Sequence, residues 1–203
     1  MPKPKLPRKI IKQENLWPTP YWYTQIWDFM RSETRVTFNE DFTSWIEGEM
    51  KKKSVVKSNR GGWQSELYDS KNEMFEPLIN EIREFCSHLP LNIKEIIIPQ
   101  LWVNVNKRGD WNIIHQHGHF HFSGIYYIKY PKDSGRIGFK DPRPAAMSNA
   151  FFNERFDGSE LKTIDTIQDG SLLLWPSFLE HFVEPSRTDE ERMSISFDVI
   201  IKE

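Results

Sequence analysis

From residue 94 to its C-terminus the chain reads as a succession of short strand-like runs separated by turn residues. The runs are 94–105, 111–117, 121–131, 135–140, 171–176, 181–185 and 192–201. Gly109, Gly118, Pro131, Asp133-Ser134-Gly135, Asp169-Gly170 and Pro176-Ser177 fall between them. Gly, Pro, Asp and Ser supply the backbone angles that strands cannot. So many short strands bury their apolar faces only by closing on one another, as a sandwich or barrel. The last run is the clearest. In 192–199 Met193, Ile195, Phe197 and Val199 alternate with Arg192, Ser194, Ser196 and Asp198. One face must pack on a core, and the other must look into water or a polar cavity.

Upstream the periodicity is helical. Phe75, Leu78, Ile79, Ile82, Phe85 and Cys86 recur at three and four, which predicts an amphipathic helix over 65–88, stopped by Pro90. A second helix is expected over 39–52, with Phe42, Trp45 and Ile46 on one face. Residues 13–35, with Pro18 and Pro20, read as a loop followed by a strand. Helices first and strands second give an all-β core with flanking helices (α+β), the helices on one outer face. Residues 1–13 form a basic Pro- and Lys-rich tail, and 14–203 a single domain, helical to about 90 with its β core from about 94. The stretch 142–170 lacks periodicity and has the length of a functional lid. Lys51–Lys53 and the segment 57–62 read as exposed loop.

Composition excludes several classes. One cysteine, Cys86, forbids an internal disulfide. No apolar stretch is long enough to span a bilayer, and the N-terminus has no apolar signal core, so a cytoplasmic protein is expected. A net charge of −2 gives no global attraction to nucleic acid. The basic tail leaves nucleic acid open as a partner, and a homodimer is compatible with the sequence.

Chemistry is concentrated in the histidines. Of six, His115, His117, His119 and His121 stand at two-residue spacing and His181 lies far downstream. Neutral imidazole is the commonest transition-metal ligand, and strand residues two apart point the same way. His115 and His117 precede the turn at Gly118 and share a face; His119 and His121 follow it and are expected on a rim. Arg192 followed by Ser194 on the polar strand face makes an anion clamp, in which a guanidinium fork and a hydroxyl suit a carboxylate. Trp102, Trp111, Phe120, Phe122 and Trp175 are candidates for a dry wall, although most such rings are core.

The order His-x-His, a distant His, then Arg-x-Ser resembles the 2-oxoglutarate/Fe(II)-dependent oxygenase superfamily. The phrases Trp102-Val-Asn104, Gly109, Asn112, His115-Gln-His117, Ser123-Gly124-Ile125-Tyr126-Tyr127, Phe139-Lys-Asp141-Pro142-Arg143 and Leu174-Trp175-Pro176 through His181 are similar to one little-characterised branch, frequent in marine bacteria and phages. The opening Leu16-Trp17-Pro18-Thr19-Pro20 is similar too, so the resemblance covers roughly 14–201. It implies a double-stranded β-helix (a cupin-like jelly roll) and an enzyme using Fe(II), O2 and 2-oxoglutarate. Such an enzyme would hydroxylate an unidentified substrate with release of succinate and carbon dioxide. Carried over, His115 and His181 match iron ligands, and His117 stands where most of the superfamily has Asp or Glu. Arg192 and Ser194 match the anchor of the distal carboxylate. Tyr127 and Ser123 match strand positions lining the cosubstrate pocket, and Asn104 is a further candidate there.

Three imidazoles also suit Zn(II). The alternatives are therefore a cupin-like three-His metalloenzyme without 2-oxoglutarate, in which Glu180 would be the nearest acid/base in sequence, and a non-catalytic jelly-roll module. Asp110 or Asp141 could replace His117 as the third ligand. Arg143 rivals Arg192 for an anion.

Overall fold

The computed structural model describes residues 12–16, 19–26, 32–142 and 161–203. The basic tail up to residue 11, Trp17-Pro18, Arg143 and most of the expected lid lie outside the described residues.

Among the described residues twelve strands form two antiparallel sheets. In the larger, the order is β1 (Lys12–Leu16), β2 (Thr19–Gln25), β10 (Ser171–Pro176), β7 (Phe122–Lys129), β12 (Arg192–Lys202), β5 (Glu95–Asn106) and β4 (Trp63–Gln64). In the smaller it is β3 (Asn59–Arg60), β6 (Trp111–His115), β11 (His181–Val183), β8 (Ile137–Lys140) and β9 (Leu161–Thr163). The two sheets face each other as a double-stranded β-helix, and helices α1 (Ser32–Glu49) and α2 (Glu76–Ser87) cover the outer face of the larger one.

The alternation in 192–199 sets this up. Met193, Ile195, Phe197 and Val199 are buried in one cluster with Leu101, Val103 and Val105 of β5 and with Phe42, Ile46, Leu78, Ile82 and Phe85 of the helices. A second cluster, between the sheets, contains Ile125, Tyr127, Phe139, Leu173 and Trp175. The intervening residues of β12 and β5 face inward and, Trp102 apart, are polar: Arg192 pairs with Asn106, Ser194 with Asn104, Ser196 with Trp102 and Asp198 with Gln100. The period-two pattern thus sorts an apolar outer face toward the helices and a polar inner face toward a cavity.

Gly124 belongs to this sorting. A Cβ there would stand 2.2 Å from Phe197 Cζ and 2.8 Å from the carbonyl oxygen of Leu173. Phe197 is fully buried and the carbonyl is sheet backbone, so neither yields cheaply. Gly124→Ala is expected to destabilise by about 1–3 kcal/mol in chemical denaturation. Adding Phe197→Leu should recover part of the loss; a wild-type midpoint for Gly124→Ala would contradict the packing.

The long helix expected over 65–88 is shorter. Residues 65–68 instead run beside β5: Ser65 N–H donates to Val103 O (3.0 Å) and Tyr68 N–H to Leu101 O (2.8 Å). Asn72 then caps a 3-10 turn over Glu73–Phe75, its side chain accepting from Met74 N–H, and α2 opens with Pro77 in its first turn. The apolar stripe is real, and Leu78, Ile79, Ile82, Phe85 and Cys86 are its buried members. The segment read as loop at 57–62 contributes β3, and β1 precedes the strand expected after residue 13.

Candidate metal and anion site

Three histidines converge between the sheets. His115 ends β6 and His181 opens β11, and the two are direct antiparallel partners with ring centroids 4.3 Å apart. His117 lies two residues beyond β6. Its N–H bonds to Ser177 O (3.0 Å), which keeps that segment beside the strand leaving β10. Its ring is 5.2 Å from that of His115 and 5.1 Å from that of His181. One ligand atom from each ring lies within 4.8 Å of the others, and among the described residues this group contains no carboxylate.

The hydrogen bonds decide which nitrogens face one another. Nδ1 of His115 lies 2.8 Å from Ile113 O and Nδ1 of His181 lies 3.0 Å from Leu179 O. A carbonyl only accepts, so both Nδ1 atoms carry the proton and both Nε2 atoms keep a lone pair. Nδ1 of His117 lies 2.8 Å from Asp198 Oδ1 and 3.0 Å from Ser123 Oγ. Burial holds the His115 and His181 imidazoles below their ordinary pKa, furthest for His181, whose neighbours His115 and His117 add to the effect. Neutral rings with fixed tautomers and converging lone pairs are what a divalent metal requires. The donor set therefore fits Fe(II), and Zn(II) equally.

The same cavity is lined by Arg192, Ser194, Ser196, Asn104, Asn106, Asn112, Trp102 and Trp175. Arg192 is 2 % exposed. It donates from one terminal nitrogen to Ser134 O (2.9 Å) and Gly135 O (2.8 Å), and from the other to Asn106 Oδ1 (2.9 Å). Among the described residues its Nε–H has no partner, nor has the buried hydroxyl of Tyr127, which interacts electrostatically with Arg192. Burial lowers the Arg192 pKa and raises that of Tyr127. Among the described residues no carboxylate pairs with Arg192, although a buried guanidinium is costly without an anion. Carbonyls and an amide orient it, and the Asp110 carboxylate acts on its charge without pairing with it, so the pocket fits a carboxylate ligand. Gly135 makes this orientation achievable. It sits at φ +87°, and a Cβ would meet Glu184 O at 2.2 Å.

The residues singled out in the sequence fall as follows. His115, His117, His181, Arg192, Ser194 and Asn104 line one cavity. Ser123, expected along the cosubstrate pocket, turns its hydroxyl to Asp198 Oδ1 (2.8 Å) and Ser177 Oγ (2.9 Å), beneath His117. Asp110 accepts from Lys107 N–H in a turn (2.7 Å), and Glu180 pairs with Lys140 (3.1 Å). His119 and His121 are exposed, and His121 accepts from Ile201 N–H (2.9 Å). Of the candidate wall rings, Trp102 and Trp175 face the cavity, Phe122 is in the outer core and Trp111 is largely exposed.

Two sets of residues escaped the sequence reading. Asn106, Ser134 and Gly135 hold the guanidinium, and Asp198, Gln100 and Ser177 stand behind His117. Asp198 had a visible signal, since it shares the polar face of β12 with Arg192 and Ser194. The two carbonyls had none, because any residue supplies one.

Residues 100–198 match the model of a family described as "Putative 2OG-Fe(II) oxygenase". That span contains every cavity residue named above. No curated protein matches the chain. The fold is similar to a prolyl-4-hydroxylase from Pseudomonas putida (14% identity, 90% of this chain and 93% of that one, TM-score 0.58). It is similar to a Trichoplax adhaerens prolyl hydroxylase in complex with a hypoxia inducible factor peptide fragment (16% identity, 89% and 83%, TM-score 0.60). It is similar also to HygX from Streptomyces hygroscopicus with nickel, 2-oxoglutarate and hygromycin B bound (12% identity, 89% and 82%, TM-score 0.61). At such identities the solved structures establish the fold, and the family match adds the chemistry. Over residues 100–198, just under half of its length, the chain matches the 2-oxoglutarate/Fe(II)-dependent oxygenase family.

Proposed function

We propose that His115, His117 and His181 hold Fe(II) through their Nε2 atoms, and that Arg192 anchors the distal carboxylate of 2-oxoglutarate, within one catalytic unit over 14–203. The observation that carries this reading is the shared cavity. Three lone-pair nitrogens and a buried guanidinium that, among the described residues, no carboxylate pairs with line the same space. When bound, the iron and its cosubstrate supply the oxidising chemistry that hydroxylates a C–H bond, with succinate and carbon dioxide as the other products.

The protein's own contribution is orientation and shielding. Ile113 O and Leu179 O hold two imidazoles in the ligating tautomer. The Arg192 Nε–H and the Tyr127 hydroxyl are the donors a carboxylate would satisfy, and Ser194 on the same face adds a hydroxyl. Asn104 is held to Ser196 (Nδ2 to Oγ, 3.2 Å) and shapes the wall between rings and clamp. Trp175, packed 4.9 Å from the His181 ring, and Trp102, 5.4 Å from that of His117, keep water from the metal side. The substrate is unidentified. The neighbours named above act in such different settings, a peptide complex in one and hygromycin B in another, that the shared fold does not select among substrate classes. Among the described residues no helix is long and apolar enough to cross a membrane.

Anaerobic titration of the Fe(II)-loaded protein with 2-oxoglutarate tests the reading without a substrate. A visible charge-transfer band should grow and saturate at one cosubstrate per iron. Iron bound stoichiometrically with no such band would overturn the 2-oxoglutarate assignment and favour a three-His metalloenzyme of another kind.

A further inference from the structure

The three rings are not supported alike. His115 and His181 each rest on a neutral backbone carbonyl, whereas Nδ1 of His117 lies 2.8 Å from the carboxylate of Asp198. Asp198 is 1 % exposed on the inner face of β12. Oδ1 also receives the Ser123 hydroxyl (2.8 Å), and Oδ2 receives the Gln100 amide (2.8 Å). Among the described residues the basic side chain that touches it is His117, which is a cation only when doubly protonated, and no Lys or Arg reaches it. A buried carboxylate without a cation is costly even when its oxygens are hydrogen-bonded. The charge it needs would stand on the far side of the His117 ring, at the point where the three Nε2 atoms meet.

We propose that Asp198 is a positioning residue for the metal centre, acting through His117: it fixes that imidazole with its proton on Nδ1 and supplies, one hydrogen bond out, the negative charge that three neutral donors lack. This rests on the reading of the three histidines as ligands. Gln100 and Ser123 complete the device by holding both carboxylate oxygens, so that Asp198 cannot turn away from the ring. Ser177 ties it to the chain on both sides. Its hydroxyl meets Ser123, its carbonyl takes the His117 N–H, and its own N–H donates to His121 O (3.1 Å). A carboxylate behind a ligating imidazole makes that nitrogen a stronger donor and restricts the ring's rotation.

A purely structural Asp198 would stitch β12 to β7 and affect stability alone. Two measurements separate these roles. The first is the imidazole nitrogen NMR spectrum of the metal-free wild-type chain at fixed pH. The proton of His117 should sit on Nδ1, as in His115 and His181; a proton on Nε2 overturns the proposal, and this result needs no variant. The second is titration with Co(II), a redox-stable probe. Asp198→Asn should bind Co(II) about 10- to 100-fold more weakly than wild type while its near-ultraviolet circular dichroism is unchanged. Affinity within threefold of wild type overturns the role. A wild-type chain that binds no Co(II) would overturn the ligand assignment itself, a different outcome from equal binding by wild type and variant.

Discussion

His181→Ala is expected to abolish stoichiometric metal binding, lowering affinity for Fe(II) or Co(II) by more than about 100-fold, beyond what loss of an outlying hydrogen-bond partner costs. His181 is 5 % exposed and is the ring that both others face, at 4.3 Å and 5.1 Å. It comes from a strand remote in sequence from His115 and His117, so no neighbour can replace it. The exposed His119 and His121 are too far round the turn, and among the described residues no carboxylate joins the group. Metal content measured on the purified variant, with His119→Ala as a control that retains its metal, checks this directly. Unchanged metal content in His181→Ala would contradict the assignment.

Arg192→Met should weaken 2-oxoglutarate binding by about 10- to 100-fold, the equivalent of a charge-assisted contact worth about 1.5–3 kcal/mol. Methionine keeps much of the stem's bulk and removes the charge. The metal ligands arise from other strands, so metal affinity is the internal control and should hold. The sign of the effect follows from the apo environment. Arg192 sits among two carbonyls and an amide oxygen, and among the described residues its Nε–H and the Tyr127 hydroxyl have no partner. Binding an anion therefore satisfies groups that folding left costly, and the variant forfeits that gain. Equal 2-oxoglutarate affinity in wild type and variant, read by isothermal titration of the metal-loaded proteins, would remove Arg192 from the site.

Most of the architecture was legible because it depends on local alternation. The run expected over 171–176 is strand β10 from Ser171 to Pro176, and that over 192–201 is β12 from Arg192 to Lys202. Both have one face that cannot tolerate water. The two-residue strands β3 and β4 were not legible, because Asn59 and Trp63 become strand only by pairing with Asn112 and Val105. The helix drawn from Ser65 failed for a related reason. Residues 65–68 find their hydrogen bonds on β5, and the Asn72 cap marks a start that an apolar stripe alone does not.

The site divides in the same way. His115 and Arg192 could be named because spacing on a strand fixes the direction of a side chain; His117 joins them from two residues beyond β6, where its N–H is held by Ser177 O. That His181 meets them depends on the β6–β11 register, which only the resemblance implied. Ser123 illustrates the limit. Its position on β7 was right for an inward residue, but its partner was set by Asp198 across the sheet, and cross-strand pairing is not written in either segment alone.

A crystal of the protein soaked with Mn(II) and 2-oxoglutarate, examined by anomalous scattering, tests the central claim most directly. One anomalous peak should lie at bonding distance from Nε2 of His115, His117 and His181 together, with the distal carboxylate of 2-oxoglutarate against the Arg192 guanidinium. A peak that leaves any one of the three rings unligated, or a cosubstrate carboxylate turned away from Arg192, would contradict it.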